Sequence, residues 1–246
     1  CKRQQSKVLQ LGWLDQLVAS GEEGLQAWQV QLWLGIFPVH RRQLGNPALL
    51  HNTVGTIRAH LGSTYGQLLR AMLVDPALQI SLNGPSNHRK KPNENLAREL
   101  LELFSLGEGN YSEADVRNAS RALTGYRMGA DGQMALMHRR HDPGPHTILG
   151  RTDSFDATKL ADWLTKQPAT ARHVTRRVWR RCIGTEPSPA HIEAIATAWR
   201  EVDLSLPWLM QTLASSPEAE QSKRQGLRLL DPLELVIRSL QLLNSP

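Results

Sequence analysis

The run Lys91-Pro-Asn-Glu-Asn-Leu-Ala-Arg-Glu-Leu-Leu-Glu-Leu-Phe-Ser-Leu-Gly107 carries the signals of a whole helix within itself. Asn93 can cap the start through its side chain, and Glu94 then falls in the first turn, where the helix dipole favours an anion. Gly107 supplies a residue for a left-handed stop. On a wheel of about 100° per residue, Leu103, Leu96, Leu100, Phe104, Ala97 and Leu101 fill one arc. Glu94, Ser105, Arg98, Glu102, Asn95 and Glu99 fill most of the other. An arc so apolar has to be buried, so the rest of the chain must build a core around it. The polar arc is either a solvated face or the wall of a site.

The remaining periodic segments are helical too. Apolar residues recur at three and four in Trp13, Leu14, Leu17 and Val18, and again in Leu25, Trp28, Leu32 and Ile36. The pattern continues in Leu50, Val54, Ile57 and Leu61, then in Leu68, Leu69, Met72 and Leu73. Asn46-Pro47, Ser188-Pro189 and Asp231-Pro232 each place a capping side chain before a proline at the first helical position. Ser112-Glu-Ala-Asp115 reads as a capping box with Asp in the place of Glu. No convincing alternating strand appears. The expectation is an all-α fold: a single multi-helix domain over residues 1–246. One long irregular loop near residues 127–154, rich in glycine and proline, interrupts it and is the place for a small hairpin.

Four groups of residues carry chemistry. In the opening helix Glu94, Arg98 and Glu102 form an i, i+4, i+8 row. As exposed pairs they would contribute about 0.2–0.5 kcal/mol each. As a wall they could supply acid/base or metal-binding carboxylates, with Arg98 orienting one of them. The second group follows Ser112, where Val116, Ala119 and Leu123 should pack inward. A short connection makes this helix a neighbour of the first, so Asp115 or Arg121 is expected beside Glu99 or Glu102. The third is His141-Asp142 in the irregular loop. It could be a general base with its orienting acid, a pair of metal ligands, or a pair that holds the loop through backbone hydrogen bonds. The fourth is a basic helix from Pro168. Arg172, Arg176 and Arg180 make one row, and His173, Arg177 and Arg181 the next. Ala171, Val174, Val178 and Cys182 lie opposite.

Rows of guanidinium groups suit phosphate, sulfate or carboxylate, so Arg172, Arg176, Arg177 and Arg180 are the candidate anion-binding set. A formal net charge of +6 points the same way, toward a glycan, a lipid head group or nucleic acid. Nucleic acid is the least supported, because aromatic residues are sparse around the basic helix. Two cysteines exclude a disulfide scaffold and a cysteine-rich zinc module. No run approaches the roughly 18–20 apolar residues that span a bilayer. Cys1 would suit the lipid-anchored terminus of a mature lipoprotein, or mark a simple chain boundary. Glycine-rich phosphate loops, the Gly-x-Ser-x-Gly elbow, His-Glu-x-x-His and the dinucleotide fingerprint are all missing. Cofactor and metal are therefore unknown at this level.

The stretch Pro92–Gly107, continuing through Gly109-Asn-Tyr-Ser-Glu-Ala-Asp-Val116 and Ala122-Leu-Thr-Gly-Tyr126, resembles the bacterial domain of unknown function 1800 family. Further matches follow in order: His141-Asp142 with Gly144 and Leu149-Gly150, Pro168–Arg172 with Val178-Trp179, Leu213–Pro217, and Pro232–Val236. The resemblance covers residues 45–244 and, more weakly, the rest. It implies a helical, often exported or periplasmic protein without an assigned activity. Two departures stand out. Leu32-Trp-Leu-Gly-Ile-Phe37 lacks the histidines of the family's Trp-His-Asn-His-Phe-like segment, and His146 replaces a lysine. The missing histidines favour a non-catalytic binding or assembly module. In it, Asn93, Glu94, Asn95, Arg98, Glu99, Glu102, Asp115, Arg121, His141 and Asp142 would form a buried polar network. The alternative is a hydrolase or metal-dependent enzyme acting on an exported anionic polymer, with Glu94, Glu102, His141 and Asp142 as its catalytic candidates.

Overall fold

The computed structural model describes residues 21–225, where eleven helices and two short hairpins share one core. The first helices are α1 (Gly21–Leu34), α2 (Ala48–Ala59), α3 (Tyr65–Leu73) and α4 (Pro76–Ser81). Next come α5 (Asn95–Glu99), continued by a π-helical turn over Leu100–Ser105, and α6 (Glu113–Ala122). The hairpins are β1 (Tyr126–Met128) with β2 (Met134–Leu136), and β3 (His146–Ile148) with β4 (Arg151–Asp153). Then follow α7 (Ala157–Thr165), α8 (Pro168–Ile183), α9 (Pro189–Glu201), α10 (Leu206–Ala214) and α11 (Pro217–Gln225). The fold is therefore mostly helical, as expected. The irregular stretch holds two hairpins rather than one. The segments containing Trp13 and Asp231-Pro232 lie outside the described residues.

Local chemistry starts these helices as the spacing predicts. Ser112 and Asp115 form the capping box of α6, and Ser188 caps α9 by accepting from the His191 N–H. Asn46 Oδ1 accepts from Ala48 N at 3.0 Å. Asp75 does the same for α4 and also receives the Thr53 hydroxyl at 2.9 Å, joining α2 to α4 inside the protein. That second contact moves the inward stripe of α2 to Leu49, Thr53 and Ile57, while Leu50 and Val54 stay half-buried.

Helix α5 runs into the core as its apolar arc requires, with Leu96, Ala97, Leu100, Leu101 and Phe104 buried. The π turn changes the phase after Leu100. A π turn takes more residues per revolution than an α turn, so later side chains lag the 100° wheel. Ser105 consequently points inward, its hydroxyl donating to Leu100 O at 2.6 Å, while Leu103 is only half-buried. Around this turn Phe37 lies 5.2 Å from Phe104, ring to ring, and Tyr65 lies 5.7 Å from Trp33 and 6.0 Å from Trp199. Tyr65 donates its hydroxyl to Phe104 O, and burial drives its pKa up. Helix α8 packs on the π turn, α7, α9, α10 and α11, which makes it the second axis of the core.

Gly125 ends α6 with φ of +90°, and a Cβ there would lie 2.7 Å from the His141 amide nitrogen. Its N–H donates to Asn87 O and its carbonyl accepts from Met137 N. Gly109 has a similar φ of +82° but open space around it. Gly109→Ala is expected to lose about 1 kcal/mol from backbone strain alone. Gly125→Ala should lose at least about 2 kcal/mol, because the His141 backbone must also move. Urea denaturation of the two variants compares them directly.

Candidate functional site

The polar arc of α5 divides into two sets. On the outer side Arg98 grips Glu113 with both terminal nitrogens at 2.9 Å and Glu94 at 3.2 Å. These side chains are exposed, so the set has the character of a surface triad. The Arg98 hydrogen bonds hold the Glu113 carboxyl below its ordinary pKa. Further along, Tyr111 donates to Glu102 Oε2 at 3.2 Å. Burial, with Glu102 nearby, pushes the Glu99 carboxyl up, while His40 and Arg177 oppose the shift. At the helix start Asn93 Oδ1 accepts from Asn95 N at 3.0 Å, and Asn87 Oδ1 accepts from Asn93 N at 2.9 Å. Asn93 thus supplies a side-chain acceptor to the first turn, as the sequence suggests, while Glu94 stands at the N-cap with helical dihedral angles.

The second cluster forms where α6 meets the His-Asp loop. Arg121 Nε donates to Asp142 Oδ2 at 2.8 Å, and Gly144 N donates to Asp142 Oδ1 at 3.1 Å. His146, from β3, is fully buried with Nε2 3.7 Å from Asp142 Oδ1. Burial raises the Asp142 carboxyl, but the Arg121 hydrogen bond, the Gly144 N–H and the charges of Arg121 and His146 outweigh it, leaving the pKa lowered. Burial lowers the pKa of His146, with Asp142 opposing. Thr124 links the parts. Its hydroxyl donates to Arg121 O at 2.7 Å and accepts from Asp142 N at 2.8 Å. Its carbonyl lies 2.9 Å from His141 Nδ1. Nδ1–H therefore donates, which leaves Nε2 as the basic nitrogen of His141. An ion pair of Arg121 and Asp142 with a buried imidazole beside it thus exists here.

The expectation for Asp115 and Arg121 needs correcting. Neither pairs with Glu99 or Glu102. Asp115 is held by its own capping box and accepts from Leu149 N at 2.7 Å. Arg121 turns to Asp142 because α6 also packs along β3. His141 and Asp142 do share a locality, but through Thr124 and Arg121 rather than through contact with each other. Thr124 and His146 were not among the expected site residues. The visible trace of Thr124 was the Leu-Thr-Gly run at the end of α6, and that of His146 the change from lysine.

On α8 the candidate anion-binding set is largely occupied. Arg172 meets Glu193 at 3.4 Å, while Arg176 and Arg180 both reach Glu186. Arg177 is engaged by backbone carbonyls. Its guanidinium donates to Leu103 O at 2.6 Å, Gly35 O at 3.3 Å and Ile36 O at 3.5 Å. His173 Nε2 donates to the same Leu103 carbonyl at 3.2 Å. Carbonyls left at helix ends attract such donors, and this explains a half-buried guanidinium without a carboxylate bond. Elsewhere, an open groove of about 660 Å³, lined by Leu25, Trp28, Leu61, Cys182, Met210 and Leu213 among others, shares no residue with either polar cluster. Among the described residues, no three His, Cys, Asp or Glu side chains are grouped to hold a metal ion.

A helical body with a closed His-Asp loop at the end of α6 defines the class. Comparison with family models is specific: the family described as Protein of unknown function (DUF1800) matches residues 1–245, and the chain belongs to it. The match reaches beyond the 45–244 region where the motifs lie. No curated protein and no solved structure matches this chain.

The geometry carries a pH dependence. Burial first, then the Arg177, Arg176 and Arg180 charges, bring the His173 pKa down to about 4, against an opposing hydrogen bond to Leu103. His146 shifts in the same direction. In the unfolded chain both imidazoles take up protons near about pH 6.5, before they do so in the folded protein. The His173 contribution is thus complete above about pH 6.5 and lost as pH falls toward about 4, at up to about 1.4 kcal/mol per pH unit, and that of His146 has the same sign. Urea midpoints across that window should fall with acid, and His173→Gln should flatten the fall. The α8 cations should separate by mutation. Arg177→Met should cost about 2–3 kcal/mol by stranding carbonyls, and Arg176→Ala less than about 1 kcal/mol.

Proposed function

We propose that this chain is a non-catalytic binding or assembly module in which acidic, arginine and histidine side chains tie the hairpins to the helices. The engagement of Asp142 carries the reading. Its oxygens accept from Arg121 Nε and the Gly144 N–H, and His146 Nε2 lies 3.7 Å away, so the carboxylate is taken up by the fold on three sides. The four catalytic candidates also stand in separate contact sets: Glu94 with Arg98, Glu102 with Tyr111, His141 with Thr124, and Asp142 with Arg121. A hydrolytic or metal-assisted reaction on an anionic polymer requires such groups around one substrate atom. The replacement of the family's lysine by His146 fits the same picture, because a neutral imidazole can be buried where an ammonium would need its own partners. An extracytoplasmic setting belongs to this proposal through the family resemblance.

Asp142→Asn and Arg121→Met are each expected to lower stability by about 1–2 kcal/mol, read as a drop in Tm of roughly 2–8 °C. Purified protein should carry less than one equivalent of any transition metal. Unchanged melting in Asp142→Asn, or a stoichiometric metal lost from that variant, would sink the module reading in favour of the enzyme.

A further inference from the structure

Three segments distant in sequence are stitched together beside the His-Asp loop. Arg89 N donates to Arg140 O at 2.9 Å, Gly125 N to Asn87 O at 3.0 Å, and Met137 N to Gly125 O at 2.9 Å. Arg127 Nη1 adds a bond to Pro85 O at 3.1 Å. The result gathers Arg89, Lys90, Lys91, Arg127 and Arg139 on one exposed region. None of these five pairs with a carboxylate among the described residues, whereas the α8 arginines face Glu186 and Glu193. The acid at the hairpin turn, Asp131, is turned back to accept from Gln133 N at 3.0 Å. Five cations without a carboxylate partner among the described residues are therefore brought together here by the backbone.

Apolar side chains accompany these cations. Met128 on β1 and Met137 just after β2 are 48% and 49% exposed, and Met134 and Leu136 on the same hairpin are half-buried. Cations beside protruding, flexible apolar side chains match the boundary between lipid head groups and acyl chains. Nucleic acid would be better served by aromatic stacking platforms, and the exposed apolar residues here are methionines. We propose that this face binds the surface of an anionic phospholipid bilayer, the five cations meeting the phosphates and Met128 and Met137 entering the interface.

This assignment rests on the module reading and names its partner, and vesicle binding tests it separately. The whole chain is sedimented with phosphatidylcholine vesicles, with and without phosphatidylglycerol, at low and high salt. Retention is expected only with phosphatidylglycerol and should weaken with salt. Each cation near such a surface strengthens binding about fivefold, so Arg89→Glu/Lys90→Glu/Lys91→Glu should weaken it at least about a hundredfold. Met128→Ser/Met137→Ser keeps the charge and should still weaken retention several-fold, while Arg176→Ala/Arg180→Ala should leave it unchanged. Melting curves establish that each variant is folded. If the triple variant does not fold, the methionine pair and the salt series decide. Equal retention on phosphatidylcholine, no retention on either vesicle, or indifference to the methionine pair would overturn the proposal. Retention on DNA or heparin without retention on vesicles would overturn it too, in favour of a soluble polyanion. Vesicle binding by a chain that also proved catalytic would refute the module reading and leave the lipid surface standing.

Discussion

The carboxyl end of the central helix is where this structure is decided. A helix that runs into a core leaves its last carbonyls without water, and each needs a donor from elsewhere. Here the π turn over Leu100–Ser105 presents Leu103 O and Phe104 O, and three side chains answer them: Tyr65 from α3, and His173 and Arg177 from α8. Arg177 reaches on to the end of α1 through Gly35 and Ile36. Four helical segments that share no local sequence are thereby held at one point. Rings of Trp33, Phe37 and Trp199 lie against Tyr65, and Phe37 also meets Phe104. Such polar contacts in a low dielectric are strong when complete and costly when one member is lost.

A second consequence concerns charge. The chain is basic overall, yet the charge of its most conspicuous basic segment, α8, is partly matched by neighbours. One of its arginines serves carbonyls, and others are matched by glutamates from α9 and the loop before it. Arg89, Lys90, Lys91, Arg127 and Arg139 have no carboxylate partner among the described residues, and only the first three are neighbours in the sequence. Charge counted along a helix does not predict surface potential when neighbouring elements supply the counter-ions.

The helices themselves were largely legible. Apolar spacing at three and four identified most of them, and their caps at Asn46, Ser112 and Ser188 behave in the structure as the residue types require. The site was legible only in part. His141, Asp142 and Arg121 do belong to one cluster, but their connection runs through Thr124 and His146, which no spacing rule singles out. Ser105 was assigned to the wrong face because a wheel assumes one uniform pitch, and the π turn breaks it. Arg177 was read as an anion-binding residue because its row matched Arg172 and Arg176 in kind. Its true partners are carbonyls on other elements.

What the chain determined by itself is local: where helices start, where Gly107 and Gly125 let them stop, and which arc of each must leave water. Those outcomes follow from caps, backbone sterics and hydrophobic periodicity, which act within a few residues. What only the tertiary structure decided is the partnership of each polar group. Whether an arginine binds a carboxylate, a carbonyl or nothing depends on which elements lie against it, and that follows from packing across the whole chain. The opening helix contains both kinds of fact: its apolar arc and cap were readable in one run of residues. Its π turn, its surface triad with Glu113 and its buried carbonyl end were settled by α3, α6 and α8.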